Sequence, residues 1–369
     1  HGGMTTTSGG NLSIKDQNGD IWISPAGVDK GSLSFKDIVC VKADGSIEGI
    51  HKPSSEFPFH KRIYEMRPDL KAIVHAHPPA LVAFSIVRKK PNTHLIPNMH
   101  LVCGGVGLAE YGLPGSFDLG DKIAKEFAKG KNAVILENHG IVVGSTSLYE
   151  AFMSFETLEY CARLEINANK IGKPSGLSEE DIILSKNKNH ADMEEFIATE
   201  MTTEERGARR EMCHLIHRAY QQKLFTSTQG TFSQKLSDGS FIITPYHVDR
   251  NFLECGDLIR IEGGKKEAGK TPSRSVTLHE AIYKNQPHVN AVIVAHPPNI
   301  MAFAVTQQDF DSRTIPESYI LLREIPKLPF GITFMDPEKA AGYFDPATPI
   351  ALIENDGAIV TGSSLLNAF

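Results

Sequence analysis

Apolar runs bounded by turn residues divide the chain into short elements. Residues 12–15 and 20–24 are predicted strands, joined by the hairpin turn Gln17-Asn18-Gly19-Asp20 and preceded by a Gly-rich turn at Ser8-Gly9-Gly10-Asn11. Residues 38–42 (Ile-Val-Cys-Val-Lys) follow as a buried strand. Phe59, Ile63 and Met66 recur at helical spacing after Ser54 and Ser55, so a helix is expected over 56–67, with Glu56 in its first turn and Pro68 beyond its end. The run Ala72-Ile-Val-His75-Ala-His77-Pro78-Pro79 then predicts a strand leaving the core, and a helix over 79–87. Further on, the pattern predicts a strand-like segment ending at Cys103-Gly-Gly-Val, a helix over 117–129, and an apolar strand at 133–136. A tight turn carrying His139 leads into a return strand. Residues 148–168 carry Ala151, Phe152, Phe155, Leu158, Cys161 and Ala162 at helical period. The polar, Lys/Asn-rich stretch 170–198 is predicted to be a linker, and Met212, Leu215, Ile216 and Ala219 mark a second amphipathic helix over 203–222.

The strand at 72–76 carries the first candidate chemistry. Alternate strand side chains share a face, so His75 and His77 stand roughly 6.5 Å apart along the backbone on one side, within reach of a single cation. A bare His-x-His is weak evidence, but an internal repeat strengthens it. Pro53-Ser-Ser-Glu-Phe-Pro-Phe-His60-Lys-Arg-Ile-Tyr64 aligns with Pro272-Ser-Arg-Ser-Val-Thr-Leu-His279-Glu-Ala-Ile-Tyr283. In the same order, Ala72-Ile-Val-His75-Ala-His77-Pro-Pro aligns with Ala291-Val-Ile-Val294-Ala-His296-Pro-Pro, and Glu137-Asn-His139-Gly140 with Glu354-Asn-Asp356-Gly357. The chain is therefore two copies of one domain, expected over residues 1–190 and 203–369. Where the first copy has Glu56, His75 and His139, the second has Ser275, Val294 and Asp356; only His77 keeps its counterpart, His296. A fold that persists without these residues does not need them for packing, so their joint presence in the first copy points to a metal site with a neighbouring base. The second copy is read as a degenerate domain. It carries a helix ahead of its Gly loop that the first copy lacks and stops where the first copy's long helix begins, so the sequence is expected to be truncated at both ends.

Composition narrows the class. The 369 residues suffice for two domains, 41% of them are hydrophobic, and a net charge of −6 with no large basic patch argues against nucleic acid. No apolar stretch is long enough to span a membrane. Five scattered cysteines without a Cys-x-x-Cys are expected to be reduced thiols in a cytoplasmic protein.

Five ordered motifs, Ser-Gly-Gly-Asn-Leu-Ser (8–13), Ser-Pro-Ala-Gly (24–27), Pro-Ser-Ser-Glu-x-x-x-His (53–60), Arg-Pro-Asp-x-x-Ala-Ile-Val-His-x-His-Pro (67–78) and Asn-His-Gly (138–140), resemble the class II aldolase/adducin family over residues 1–169, and in degenerate form over 203–369. The resemblance implies a three-layer α/β/α domain with a largely antiparallel central sheet, present twice. It implies Zn2+, or another divalent metal, on His75, His77 and His139, with Glu56 as catalytic acid/base once its pKa moves toward neutrality. Substrate phosphate would lie against Asn11, Gly27, Ser54 and Ser55. Ala26 replaces the family's usual Thr, which removes one phosphate hydrogen bond. Tyr111 matches a tyrosine that donates a proton from a neighbouring subunit, and its counterpart in the second copy is Phe330.

Three neutral imidazoles leave an open position that a substrate's carbonyl and adjacent hydroxyl can chelate, with charge stabilisation for the enediolate formed on carbon–carbon cleavage. The expected activity is aldol cleavage of a ketose phosphate of the L-fuculose-1-phosphate type by a homo-oligomer, a pseudo-four-fold dimer or larger. Alternatives on the same site are a sugar-acid phosphate decarboxylase or a dehydratase. A metal-free adducin-like scaffold is the reading from another class.

Overall fold

The computed structural model describes residues 3–198 and 200–369. The described residues group into two compact units, one of residues 3–93 and 98–166, the other of 94–97, 167–198 and 200–369. In the first copy the strands are β1 (Asn11–Lys15), β2 (Ile21–Ile23), β3 (Val39–Val41), β4 (Ile47–Glu48), β5 (Ala72–Ala76), β6 (Val106–Ala109), β7 (Ala133–Leu136) and β8 (Ile141–Ser145). The helices are α1 (Phe57–Met66), α2 (Pro79–Ile86), α3 (Pro97–Cys103), α4 (Phe117–Ala128) and α5 (Leu148–Ile171). The strands form one sheet in the order β4-β3-β2-β1-β5-β8-β7-β6, antiparallel at every pairing except β6 with β7.

The hydrophobic pattern explains the layers. Ile73 on β5 and Val142 on β8 turn one sheet face toward α1 and α4, where they meet Phe59, Ile63, Leu119, Ile123 and Phe127, all buried. Each such side chain contributes roughly 1.5–3 kcal/mol by leaving water. Ser116 caps α4, its hydroxyl accepting the Leu119 N–H at 3.1 Å.

The second copy repeats this plan. After α6 (Glu179–Ser185), β9 (Glu195–Phe196) and α7 (Thr203–Gln221) come β10 (Thr231–Lys235), β11 (Phe241–Ile243), β12 (Ile259–Glu262), β13 (Lys265–Glu267), α8 (Val276–Asn285), β14 (Ala291–Ala295), α9 (Pro298–Ala304), α10 (Pro316–Leu322), β15 (Lys327–Leu328), α11 (Ile332–Met335), α12 (Pro337–Ala341), β16 (Ile350–Ile353), β17 (Gly357–Gly362) and α13 (Leu365–Ala368). Its sheet order, β15-β16-β17-β14-β10-β11-β12-β13-β9, is the first copy's order with β9 added at one edge. Thr231 pairs with Val294 as Asn11 pairs with His75, so the register is the same too. One face is covered by α8, α11 and α12, the other by α7 and α13.

Two sequence expectations change. The segment before Cys103 is the helix α3, entered through Pro97 and burying Met99 and Cys103 at i, i+4; the strand starts only at Val106. The predicted linker contains α6, started by a capping box in which the Ser178 hydroxyl accepts the Asp181 N–H while the Asp181 carboxylate accepts the Ser178 N–H. Residues 167–198 group with the second unit.

Candidate active site

Strand β5 carries the centre of the site. His75 lies between two antiparallel neighbours, opposite Asn11 on β1 and Val142 on β8, and cross-strand neighbours share a face. His77 follows just past the strand end. His139 stands in the β7–β8 turn, where Asn138 takes a left-handed φ of 55°, a conformation asparagine tolerates; Asn355 repeats it at 52° in the second copy. Two glycines permit the approach. A Cβ on Gly10 would come within 2.7 Å of the His75 carbonyl oxygen, and one on Gly140 within 2.6 Å of the Ala76 carbonyl oxygen and 2.7 Å of the His77 ring.

The three imidazoles converge. Their ring centroids are 4.8–5.1 Å apart, and one nitrogen from each lies within 4.8 Å of the others. His75 Nδ1 is 2.9 Å from the Ile141 carbonyl oxygen, which can only accept, so Nδ1 holds the proton and Nε2 turns its lone pair to the centre. His75 Nε2 and His77 Nε2 are buried without a hydrogen-bond partner, an arrangement that costs energy unless a cation is bound, and His139 turns its Nε2 toward the Glu56 carboxylate at 3.4 Å. These donors fit a divalent metal of the zinc class: three neutral imidazoles, close together, facing one point. Burial depresses the pKa of His77 to about 4, helped by the neighbouring His75 and His139 rings, and depresses His139 as well. Both are therefore neutral, as ligation requires.

Glu56 faces the same point. Its Oε2 lies 3.1 Å from His75 Nε2 and accepts a 2.7 Å hydrogen bond from Asn11 Nδ2, while Oε1 lies 3.4 Å from His139 Nε2. Glu56 sits at the N-cap position of α1, one residue before the observed helix and not in its first turn as the sequence predicts. Ser54 explains the offset, because its hydroxyl accepts the Glu56 N–H at 3.3 Å and directs the carboxylate inward. Burial alone would raise the Glu56 pKa. Contact with His75, the Asn11 donor and the nearby His139 ring outweigh burial and hold it at about 2. The sequence expectation of a shift toward neutrality is thus reversed: the Glu56 carboxylate is held in its ionised form.

Of the residues expected to hold phosphate, Asn11 is buried and its side chain is committed to Glu56 and, through Oδ1, to the His60 ring. Ser54 is buried in the turn, whereas Ser55 and Gly27 are exposed; Gly27 has a φ of 69° and open space where a Cβ would be. Tyr111 is 53% exposed, with its N–H on Glu137 and its carbonyl on Lys122.

Comparison of the copies separates architecture from chemistry. His60 Nδ1 meets Ser13 Oγ, which also meets the Tyr64 hydroxyl; His279, Ser233 and Tyr283 repeat the trio. Burial depresses both histidines to about 3, so both are neutral. Lys30 pins the 24–27 loop by donating to the Pro25 and Val28 carbonyls, and Arg250 holds the equivalent loop.

One residue escaped the sequence reading. Helix α2 begins with Pro78-Pro79 immediately after His77, and its first free N–H groups, Ala80 and Leu81, donate to the two carboxylate oxygens of Glu159 at 3.1 and 3.0 Å. Glu159 comes from α5 and is 1% exposed; burial raises its pKa against those two donors and Arg163. The signal available was a carboxylate beside the apolar stripe at Leu158, Cys161 and Ala162.

The family profile "Class II Aldolase and Adducin N-terminal domain" matches residues 1–166 and again 210–369. The chain is similar to 5-deoxy-D-ribulose 1-phosphate aldolase of Bacillus thuringiensis, with 31% identity over 49% of this chain and 84% of the relative. It is 35% identical to an L-fuculose phosphate aldolase of Methanococcus maripaludis over 45% of this chain and 88% of that protein. To 3-oxo-tetronate 4-phosphate decarboxylase of Haemophilus influenzae it is 32% identical, over 44% and 79% respectively.

Proposed function

The chain belongs to the class II aldolase and adducin family as a metal-dependent lyase, and from this premise we propose that it cleaves a ketose phosphate of the L-fuculose-1-phosphate type by retro-aldol chemistry. In this reading Zn2+ is held by His75, His77 and His139. The observation that carries it is the Glu56 carboxylate set against three converging imidazoles, of which His75 Nε2 and His77 Nε2 are buried without a hydrogen-bond partner.

A bound divalent cation supplies Lewis-acid stabilisation of the charge that develops on the substrate carbonyl oxygen. This chain's residues do the rest. Glu56 takes the proton of the hydroxyl beta to the ketone; that oxygen's electrons form the aldehyde carbonyl as the carbon–carbon bond breaks. The bond's electron pair passes to the departing three-carbon phosphate as its enediolate, and Glu56, now protonated, returns the proton to carbon. Asn11 holds Glu56 in place, and His60 holds Asn11. The exposed Gly27 and Ser55 are the positions open to a substrate phosphate. Exposed Tyr111 supports an assembly in which it serves a neighbouring copy of the chain.

A second reading, loss of CO2 from a sugar-acid phosphate, gains support from Phe330, the counterpart of Tyr111 in the second copy, which has no hydroxyl to donate a proton. Decarboxylation needs no hydroxyl deprotonation, and the decarboxylase relative belongs to the same family.

The test is a panel of ketose phosphates and sugar-acid phosphates given to zinc-loaded protein, with aldehyde and CO2 both assayed. Glu56→Gln should lower aldehyde release by about 10²–10⁴-fold while metal content stays unchanged. CO2 as sole product selects the second reading, and no turnover of any member rejects both.

A further inference from the structure

Of the four positions that make the first copy's centre, the second copy keeps only His296, yet the equivalent place is filled. Ser275, Val294 and Asp356, the counterparts of Glu56, His75 and His139, line a cavity of about 10 Å³ together with Lys188, room for about one water. Lys188 comes from the segment between α6 and β9. Its ammonium lies 3.5 Å from Asp356 Oδ2, the same oxygen that accepts the Thr333 hydroxyl at 3.3 Å, and 5.9 Å from the centre of the Phe334 ring. Both members of the ion pair are mostly buried, at 22% and 16% side-chain exposure.

The same segment occupies the counterpart of the expected phosphate site. Arg274 stands where the first copy has Ser55, and Tyr246 where it has Ala26. Arg274 donates to the Lys188 carbonyl at 3.3 Å and places its guanidinium 5.3 Å from the Tyr246 ring centre, while His190 packs edge-on against Tyr246 at 4.4 Å. Three positions at which the second copy departs from the first, Asp356, Arg274 and Tyr246, therefore belong to one set of contacts holding residues 188–190.

We propose that the second copy's former substrate site is a binding site for this chain's own intervening segment, with the Lys188 ammonium as its resident cation and the Arg274–Tyr246 pair as the clamp on residues 188–190. The inference needs no assumption about the reaction of the first copy. A cation is required because Asp356, brought into the sheet end at the place of a neutral imidazole, costs energy if left partly buried and unpaired. A tethered ammonium meets that need with no free ion, and the segment excludes metal and phosphate from the second copy.

Two experiments on the full chain test this. Lys188→Ala should lower the melting temperature, and methylammonium, which restores a free cation of the missing chemistry, should recover most of the loss in Lys188→Ala but none in Lys188→Ala/Asp356→Asn. Failure of methylammonium to rescue, or equal rescue in the double variant, overturns the cation assignment. Arg274→Ser/Tyr246→Ala installs residues that the first copy carries in the same fold. It should accelerate tryptic cleavage after Lys186 and Lys188 by about tenfold or more, because a released segment opens without global unfolding. An unchanged cleavage rate, with the variant's melting temperature intact, overturns the clamp.

Discussion

At the scale of single residues, the arrangement turns on which groups face His75. Asn11 was expected at the phosphate; its side chain instead bridges Glu56 and His60. A hydrogen bond to a charged carboxylate contributes roughly 1.5–3 kcal/mol, so Asn11→Ala should lower kcat/KM by about tenfold or more. The pH dependence of that loss is diagnostic. Asn11 is one of the groups holding the Glu56 pKa at about 2, and its removal moves that pKa upward. From so low a starting point Glu56 stays ionised well above its new pKa, and the loss should be constant between about pH 6 and 8. A deficit that deepens as the pH drops through this range would mean that Glu56 is not the base at rest.

Elements decide how firmly the ligands are held. Strand β5 and the β7–β8 turn deliver all three histidines, and the prolines after His77 start α2 without supplying a cap, so Glu159 from α5 fills that role. Glu159→Gln keeps the shape but weakens the acceptance of two N–H groups. It should destabilise the first unit by about 1–3 kcal/mol and weaken metal binding by roughly 10–100-fold through misplacement of His77. Denaturant melts and metal titration of the same sample measure both, and an unchanged metal affinity would confine Glu159 to folding. Much of this scale was legible in the sequence. Period two placed His75 on β5, helical period placed α4 and α5, and the aligned motifs marked β14 as the counterpart of β5. The misreadings have physical causes: the short apolar run of α3, bounded by Pro97 and Gly104, fits helix or strand equally. Glu159 and Lys188 act through partners far away in the chain, which no local pattern encodes.

Over the whole molecule, the two copies form a natural control. The same sheet order, register and Ser-His-Tyr trio occur twice, once around three imidazoles and a carboxylate and once around Val294, Ser275 and the Lys188–Asp356 pair. Among the described residues, the cluster His75, His77 and His139 is where ligand atoms gather for a metal, and no helix is long and apolar enough to cross a membrane. A chain built this way should hold one metal per two domains. Metal content per chain, measured on purified protein and on His75→Val, tests this most directly, because Val294 shows that the fold accepts valine at that place in the strand. The account predicts about one divalent metal per chain in the natural sequence and less than about 0.2 in His75→Val, with the melting curve preserved. Metal content unaffected by His75→Val, or two metals per chain, would contradict it.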